Sequence, residues 1–593
     1  MKIMTNNGFM TKVMGLAKGV LPFYLFTLLP FCASAQISKH VTVDSVGQLA
    51  KQIDNEEKFK ISSLSVSGPL NSADVKLLQQ IVNRAKASEK KGECVVTSVD
   101  LSGAVFTEGK EAKATTTLPN GLFSGAKQLV KVILPQGITA ISKSCFDGCS
   151  SLPDIQIPSS VTAIENQAFQ GCESLTAIAI PSGVTAIGNE AFENCKSLTQ
   201  VEIPENVTEL GNQVFNGCKS ITSVNIVGKL KKIGSAAFRG CEALTTVNLP
   251  ETVKSIGSEA FRDCKSIPTL TLPEDIDEIG NSAFEDCTAL SAVEMKNVSK
   301  IGSEAFRDCK SLVGVSLEKL SKLGSSAFKN CIALSTVEIK GSLDEVSSNV
   351  FLGCTSLTSI TLPKSVKTIG SSAFEKCQSL PEFEFPDALQ KIGSSAFEGC
   401  SSLREAFIPN MVKSIGGSAF KSCAALDTVS ISGFPEEIAG STFMKCSALR
   451  GISLPSCIRK IGTKAFQECV LLSDISLPAA LISIGDDAFE KCSSLKSIKL
   501  PVGVTTVGSD AFLECGTLSH VELSVALKKL GGEAFAKCPS LREVVLNSPA
   551  PPSITRTTFK DVVSCTFWIP KGCQPLYAAN KEWTKVYVIK EKE

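Results

Sequence analysis

Residues 172–195 read C-ESLTAIAIPSGVTAIGNEAFEN-C, and residues 195–218 read C-KSLTQVEIPENVTELGNQVFNG-C. One pattern is written twice. Working outward from this pair, eighteen Cys recur in the same frame, at 149, 172, 195, 218, 241, 264, 287, 309, 331, 354, 377, 400, 423, 446, 469, 492, 515 and 538. The step is 23 residues except for two steps of 22 around Cys309. Phe stands three residues before each of these Cys, from Phe146 to Phe535. The Phe column runs on to Phe123 and Phe559, where Ala126 and Val562 replace Cys. About twenty coils result. The outermost are atypical, as terminal repeats should be when one face has no neighbour.

The coil has a readable grammar. Counting from Cys, apolar residues fall at +3, +6 and +8, as in Leu198, Val201 and Ile203. The +6/+8 alternation predicts a short strand with one buried side. Pro follows at +9 in coils such as those of Pro158, Pro181, Pro204 and Pro250, ending the strand because it cannot donate to a ladder. Apolar residues return at +12 and +15 (Val184, Ile187), predicting a second, shorter extended piece. Gly recurs near +16 in fourteen coils, which points either to a positive backbone dihedral or to a tight approach. The segment G-x-x-A-F-x-x-C then places Ala, Phe and Cys at i, i+1 and i+4, a spacing that predicts one short helical turn. A single coil cannot bury these positions, but stacked coils can. Parallel strands about 4.8 Å apart would give twenty coils a length on the order of 100 Å.

Composition agrees and excludes several function classes. The chain has 593 residues with 60 Lys and Arg against 59 Asp and Glu. A balance this even makes no general electrostatic case for nucleic acid or an anionic membrane. An apolar content of 43% excludes wholesale disorder. There are 24 Cys and 31 Phe but 2 His, which nearly closes off His-based catalysis and His-ligated metal. His40 and His520 have no companions that would form a triad, and the Gly residues punctuate repeats without cradling a phosphate. The reading is therefore no enzyme, no cofactor, no metal site and no nucleic-acid partner.

Residues 1–35 predict a cleaved secretory signal: early Lys, an apolar run from Val20 to Ala33, and Ala33-Ser34-Ala35 as an A-x-A site. The run is too short to span comfortably and contains Pro22 and Pro30. Phe31 before Cys32 argues against lipidation. No later segment is long and apolar enough for a membrane span, so no integral membrane segment is expected after cleavage. Removing the leader takes away three Lys and leaves a net charge of −2.

The unit L-T-x-[IV]-x-[IL]-P-x-x-V-x-x-I-G-x-x-A-F-x-x-C resembles the leucine-rich repeats of BspA-like proteins, over residues 126–546. Ser63-Leu64-Ser65-Val66-Ser67-Gly68-Pro69-Leu70-Asn71 resembles the opening of bacterial members. Trp568-Ile569-Pro570-Lys571-Gly572, with Tyr577 and Trp583, resembles their closing segment. The resemblance implies an α/β repeat solenoid, a curved right-handed coil. Its parallel sheet lies on the concave face and its short helical turns on the convex side, with caps at both ends. It also implies a secreted or cell-surface bacterial protein that binds macromolecules, with host extracellular-matrix and plasma proteins or other cells as partners. A structural scaffold of the envelope or matrix is the second reading. Fold transfers between repeat proteins more readily than ligand does.

Four segments follow: signal 1–35, N-terminal cap 36–93, solenoid 94–546 and C-terminal cap 547–593. In the first cap, residues 61–67 read as a strand and 73–87 as an amphipathic helix capped by Asn71 or Ser72. A cap would cover an edge strand that otherwise invites pairing with other chains. In the second, residues 565–570 read as a strand and 576–581 as a helical turn. The repeat Cys share one interior position and parallel side-chain directions. That favours a ladder of buried free thiols over disulfides despite export. Cys565 and Cys573 stand outside the pattern and leave a local disulfide open, while Cys94, Cys145 and Cys457 read as core or unpaired.

Positions +5 and +7 of the predicted strand point outward. They carry Asp154, Glu202, Glu294, Glu338, Glu382, Glu384, Glu405, Asp474, Glu522 and Glu543, against the bases Lys131 and Lys499. Phe407 is the outward aromatic. Just past the strand, bases collect: Lys231, Lys232, Lys254, Lys322, Lys367, Lys413, Arg459, Lys460, Lys528 and Lys529. The expectation is an acidic strip beside a basic one, serving a protein partner through a broad contact. The scarcity of aromatics gives a glycan site little support.

Overall fold

The computed structural model describes residues 37–83, 95–108, 113–585 and 588–592. The leader with Cys32, Cys94 and the end of the expected helix beyond Asn83 lie outside the described residues.

The repeats build a β-solenoid of parallel sheets with little helix. The +6/+8 alternation becomes a first ladder. Gln200–Ile203 pairs in parallel with Ser223–Ile226, and that strand with Thr246–Asn248, so that Val201, Val224 and Val247 share one row. Gly314–Leu317, Thr336–Ile339 and Ser359–Thr361 repeat the arrangement, as do Glu405–Ile408, Thr428–Ile431 and Gly451–Ser453. Each strand alternates outward and inward residues, as in the exposed Glu202 between buried Val201 and Ile203. Pro204 follows directly, and its carbonyl accepts from Val207 N–H at 3.1 Å to turn the chain. The second extended piece forms its own parallel ladder of two-residue strands, for example Lys232–Ile233, Ser255–Ile256, Glu278–Ile279, Lys300–Ile301 and Lys322–Leu323.

The segment around Phe is not helical. Among the described residues, the α-helices are Leu49–Gln52, Ser72–Val82 and Gln574–Ala579, all outside the repeats. The reason is backbone geometry at +18 and +22. Glu190 and Asn194 both have positive φ, at 56° and 59°, and the positions recur coil after coil. These left-handed residues flank Phe, so that the N–H groups of Glu190, Phe192 and Asn194 all face the next coil. They donate to the carbonyls of Asn212, Val214 and Asn216 at 2.9, 2.9 and 2.7 Å. A helix would have turned those donors back on its own carbonyls. The turns thus form a third hydrogen-bonded seam between coils.

Gly at +16 is explained by the tight approach and not by a positive dihedral. A methyl group on Gly188 would lie 2.5 Å from the Asn166 backbone nitrogen, and one on Gly280 would lie 2.6 Å from that of Ser258. Neither Gly188 nor Gly280 is among the glycines with positive φ.

The core is one continuous column. Twenty Phe rings from Phe123 to Phe559 stack with centroids 5.0 to 5.7 Å apart, for example 5.1 Å for Phe123–Phe146, 5.7 Å for Phe328–Phe351 and 5.0 Å for Phe512–Phe535. Beside it run the eighteen repeat Cys as buried free thiols. They are more than small apolar filler. Cys172 Sγ donates to the Phe146 carbonyl at 3.2 Å and Cys195 Sγ to that of Phe169 at 3.2 Å, a bond repeated up to Cys538 and Phe512. Cys145 is also buried, in the Ala column, while Cys457 is half-buried with Sγ 3.3 Å from the Pro435 carbonyl. Cys565 and Cys573 are both free thiols.

The two ends continue the first ladder. Ile37–Thr42 pairs in parallel with Ile61–Leu70, which pairs with Ser98–Asp100, and that strand with Lys131–Ile133. Residues 37–83 therefore lengthen the sheet by two rungs and leave Ile37–Thr42 at its edge among the described residues. Asn71 caps Ser72–Val82 in a capping box with Asp74. Buried Asp74 also accepts from the N–H groups of Gly47 and Leu49. At the far end, Val588–Glu591 pairs with Thr566–Ile569. Buried Trp583 meets the last ladder ring, Phe559, at 6.3 Å and donates Nε1–H to the Pro552 carbonyl at 2.8 Å. Tyr577 donates its hydroxyl to Ser548 O at 2.9 Å.

Two predictions follow from this interior. Phe306→Ala, in the middle of the column, should cost about 3–5 kcal/mol. Phe407→Ala, outside it, should stay within about 0.5 kcal/mol; chemical denaturation of both variants measures the contrast. Burial also raises the thiols of Cys172, Cys400 and Cys469 from their ordinary value of 9.0 to about 12. The unfolded chain ionises these groups first, so their contribution is complete below pH 9 and is lost as pH rises toward 12. Each removes about 1.4 kcal/mol per pH unit in that window. The melting temperature should be flat from neutral pH to about 8.5 and fall steeply above 9. A melting temperature unchanged at pH 10.5, or near-zero free thiol in guanidinium without reductant, would contradict the thiol ladder.

Candidate functional site

The rigid element available for binding is the outer face of the first ladder. Its residues come from alternate positions of strands whose other side is locked into the core, so the face has little freedom to collapse. Glu202 and Glu405 are exposed on such strands and Glu338, Glu522 and Glu543 are half-buried on them, while Asp154, Glu294, Glu382, Glu384 and Asp474 are exposed at the matching coil positions outside the paired strands. Phe407 is 58% exposed.

The ladder register decides which of them meet. Glu202 is followed by Asn225 and Asn248, and Glu338 lies between Ser316 and Thr361. Most of the acids are thus isolated by neutral rungs. The concentrated stretch is 382–407, where Glu382 and Glu384 stand in one coil and Glu405 and Phe407 at the matching positions of the next. Beyond it, Phe407 is followed by Ser430 and Ser453. Two of the acids are neutralised locally. The Lys499 ammonium, 2.9 Å from Glu522, holds that carboxyl below the usual range, and Lys340 at 3.1 Å does the same for Glu338.

All ten bases of the expected strip are exposed; Lys232, Lys322, Lys460 and Lys529 stand on the outer row of the second ladder, and the other six lie one residue before it. It is not uniformly basic. Register alternates Lys232, Ser255, Glu278, Lys300 and Lys322 in one stretch, and Glu437, Lys460, Ser483, Thr506 and Lys529 in another. Acids pair with several bases, as in Lys367–Asp344 at 3.1 Å and Lys460–Glu437 at 3.6 Å. Neighbouring coils touch, and like charges on consecutive rungs repel; Lys300 and Lys322 are a like-charged pair that the ladder nevertheless sets side by side.

One charged cluster escaped the sequence reading. Glu285, on the turn seam, is only 1% exposed and lies between Arg262 and Arg307 of the two adjacent coils. Arg262 also reaches Glu259 at 3.5 Å, and Glu259 reaches Arg239 at 2.7 Å. The signal was present as opposite charges in one column of successive repeats. It becomes legible only when that column is known to face the neighbouring coil. A second overlooked column brackets the coils: Asn166 and Asn189 each accept, through Oδ1, the backbone N–H of the residue one coil on, at 2.8 Å.

No chemistry converges on these faces. His40 Nδ1 is 2.9 Å from Ser65 Oγ and His520 Nδ1 is 2.8 Å from Glu543 Oε2, at opposite ends of the ladder. Among the described residues, no group of three His, Cys, Asp or Glu is placed to hold a metal ion. An open groove of about 730 Å³ beside the second ladder is lined by Lys143, Glu165, Glu209 and Lys231 with Ala163 and Ala186, a mixed surface without a nucleophile and base in contact.

Comparison with known proteins places the repeat. The family profile "BspA type Leucine rich repeat region (6 copies)" matches residues 116–245, 231–358, 344–472 and 436–566. Among solved structures, a leucine-rich repeat protein from Bacteroides ovatus is 27% identical, covering 73% of this chain and 88% of that one, with a TM-score of 0.43. A leucine-rich cell surface protein from Faecalibacterium prausnitzii is 25% identical, covering 65% and 83%, with a TM-score of 0.28. The leucine-rich repeat protein of T. pallidum is 30% identical, covering 35% and 78%, with a TM-score of 0.24. Among curated proteins, none matches the chain.

The buried carboxylate yields a prediction. Glu285→Ala leaves two guanidinium groups facing each other and should cost about 2 kcal/mol; the figure is held down because both arginines keep some solvent contact. The outward Glu202→Ala should be neutral within about 0.5 kcal/mol. Equal effects in urea denaturation would show that the Arg–Glu–Arg stack is not cohesive.

Proposed function

Because the chain belongs to the family of BspA-type leucine-rich repeats, we propose that it is an exported surface protein that binds macromolecular partners through the outer face of the first ladder. Host matrix or plasma proteins and the surfaces of other cells are the partner classes. The observation that carries the reading is the stretch holding Glu382, Glu384 and Glu405 around Phe407. Phe407 and Glu405 stand on the outward side of the strand Glu405–Ile408, whose inward residues Ala406 and Ile408 are buried, and Glu382 and Glu384 are exposed on the preceding coil. An aromatic anchor with a charged rim is the usual composition of a protein-binding hot spot. Long flanking rungs of Ser, Thr and Asn supply hydrogen-bonding area for a broad contact.

In this reading the leader exports the chain, the terminal segments cap the stack, and no catalytic step is involved. The scaffold reading, in which the solenoid is itself the function, draws on the same continuity of the column but assigns no role to Phe407.

The test is solid-phase binding of residues 36–593 to immobilised host matrix and plasma proteins, with protease accessibility measured on intact cells. Binding should weaken about tenfold in Phe407→Ala combined with Glu405→Lys, and should fall as salt is raised. Absence of binding to every partner, with the protein inaccessible on cells, would favour the scaffold.

A further inference from the structure

The turn joining the two ladders changes character along the solenoid. From 205 to 387 its tip carries charge in eight of nine coils, at Glu205, Lys229, Glu251, Glu274, Lys296, Glu318, Lys364 and Asp387, with Gly341-Ser342 the uncharged tip among them. From 410 onward the two tip residues are Asn410-Met411, Gly433-Phe434, Ser456-Cys457, Ala479-Ala480, Val502-Gly503 and Val525-Ala526. Six successive coils have no charge at the tip. Met411, Phe434, Val502 and Val525 are all exposed, Phe434 at 67% and Val502 at 72%. Rungs about 4.8 Å apart make this a straight apolar ridge about 24 Å long. Two of its tips are tied to a neighbouring coil: Phe434 N–H donates to Val412 O of the preceding coil at 2.8 Å, and Val502 O accepts from Ser524 Oγ of the following one at 2.8 Å.

Bases run beside the ridge. Phe434 shares an open groove of about 630 Å³ with Lys413, Arg459 and Lys460. Lys528 and Lys529 occupy the equivalent positions below Val525. Against these five bases stand Glu436 and Glu437, the latter already 3.6 Å from Lys460. The near-zero charge of the whole chain conceals this local excess of positive charge.

We propose that this ridge is a peripheral membrane-contact edge, which seats Met411, Phe434, Val502 and Val525 in the interface of a bilayer bearing anionic headgroups. Protruding apolar side chains beside cations suit a deformable apolar layer with a negative surface. The ridge projects, so a folded protein partner would need a matching groove, whereas lipid needs none. A second copy meeting the ridge about a twofold that runs across it would set Met411 against Val525, and therefore Lys413 against Lys528 and Lys529, which charge disfavours. The edge would hold an exported chain at a surface without any spanning helix; among the described residues, none is long and apolar enough to span.

The test is co-sedimentation of residues 36–593 with sucrose-loaded vesicles of phosphatidylglycerol and phosphatidylcholine at about a 1:2 ratio, against phosphatidylcholine alone. The chain should pellet with the anionic vesicles and scarcely with the neutral ones. Phe434→Ser with Val502→Ser should weaken binding at least about tenfold. Lys528→Ser with Lys529→Ser should weaken it and flatten its salt dependence. Both pairs are at the surface, and unchanged melting temperatures would certify their folding. Phe407→Ala with Glu405→Lys should leave vesicle binding intact, which separates this edge from the ladder face. Failure to pellet with anionic vesicles, or pelleting indifferent to the Phe434/Val502 pair, overturns the proposal. So does a dimer in light scattering that the same pair dissolves, since the ridge would then belong to a second copy.

Discussion

Each phenylalanine of the column from Phe123 to Phe512 is held to the next coil in three ways at once. The Phe146 ring stacks on Phe169, its N–H donates to the Ala168 carbonyl at 2.8 Å, and its carbonyl accepts the Cys172 thiol at 3.2 Å. The same carbonyl accepts Cys149 N–H from its own coil at 3.1 Å. Both lone pairs of a fully buried carbonyl are thereby used, which matters because an unpaired buried backbone group costs free energy comparable to a lost hydrogen bond. Cys is suited to this site: it is small enough for the column, apolar enough for the core, and still a weak donor. Ala would fill similar space without the donor.

The rest of the architecture depends on that contact being made between coils. Rung spacing is set by stacked rings, so both ladders and the turn seam must keep one step. The glycines near +16 follow, because at that step there is no room for a Cβ against the neighbouring backbone. The left-handed residues at +18 and +22 follow as well, because the donors around Phe must face the next coil. A solenoid held this way has nearest-neighbour energetics and needs closed ends. Trp583 and Tyr577 provide large buried side chains where the Phe column stops.

Repetition also governs the surface. A residue on one rung has its counterpart on the next within reach, so a column of like charge would repel itself along its whole length. Interleaving of Lys with Glu and neutral residues along much of the second ladder, and of Arg and Glu around Glu285, relieves this, with Lys300 beside Lys322 as an exception. The acidic pair of coils around Phe407 and the uncharged ridge from Met411 to Val525 are two further departures, and they overlap in the coil that holds Glu405, Phe407 and Met411.

Period, buried positions and the parallel first strand are legible in residues 172–218, and the coil count in the Phe column from 123 to 559, because stacking copies each position into a column whose chemistry must be self-compatible. The Asn71 cap and the free-thiol ladder were legible for the same local reasons. The helical turn was misread: i, i+1, i+4 spacing records which side chains point inward and is silent on where the backbone N–H groups point. That direction is decided by the neighbouring coil, as is the choice between a left-handed Gly and a crowded one. Glu285 between its two arginines, and the interleaving of charge on the second ladder, likewise depend on which columns touch. Residue type and spacing within one coil determine what is buried. Contacts between residues 22 or 23 positions apart decide how it is held, and only the folded stack brings those residues within a hydrogen bond of each other.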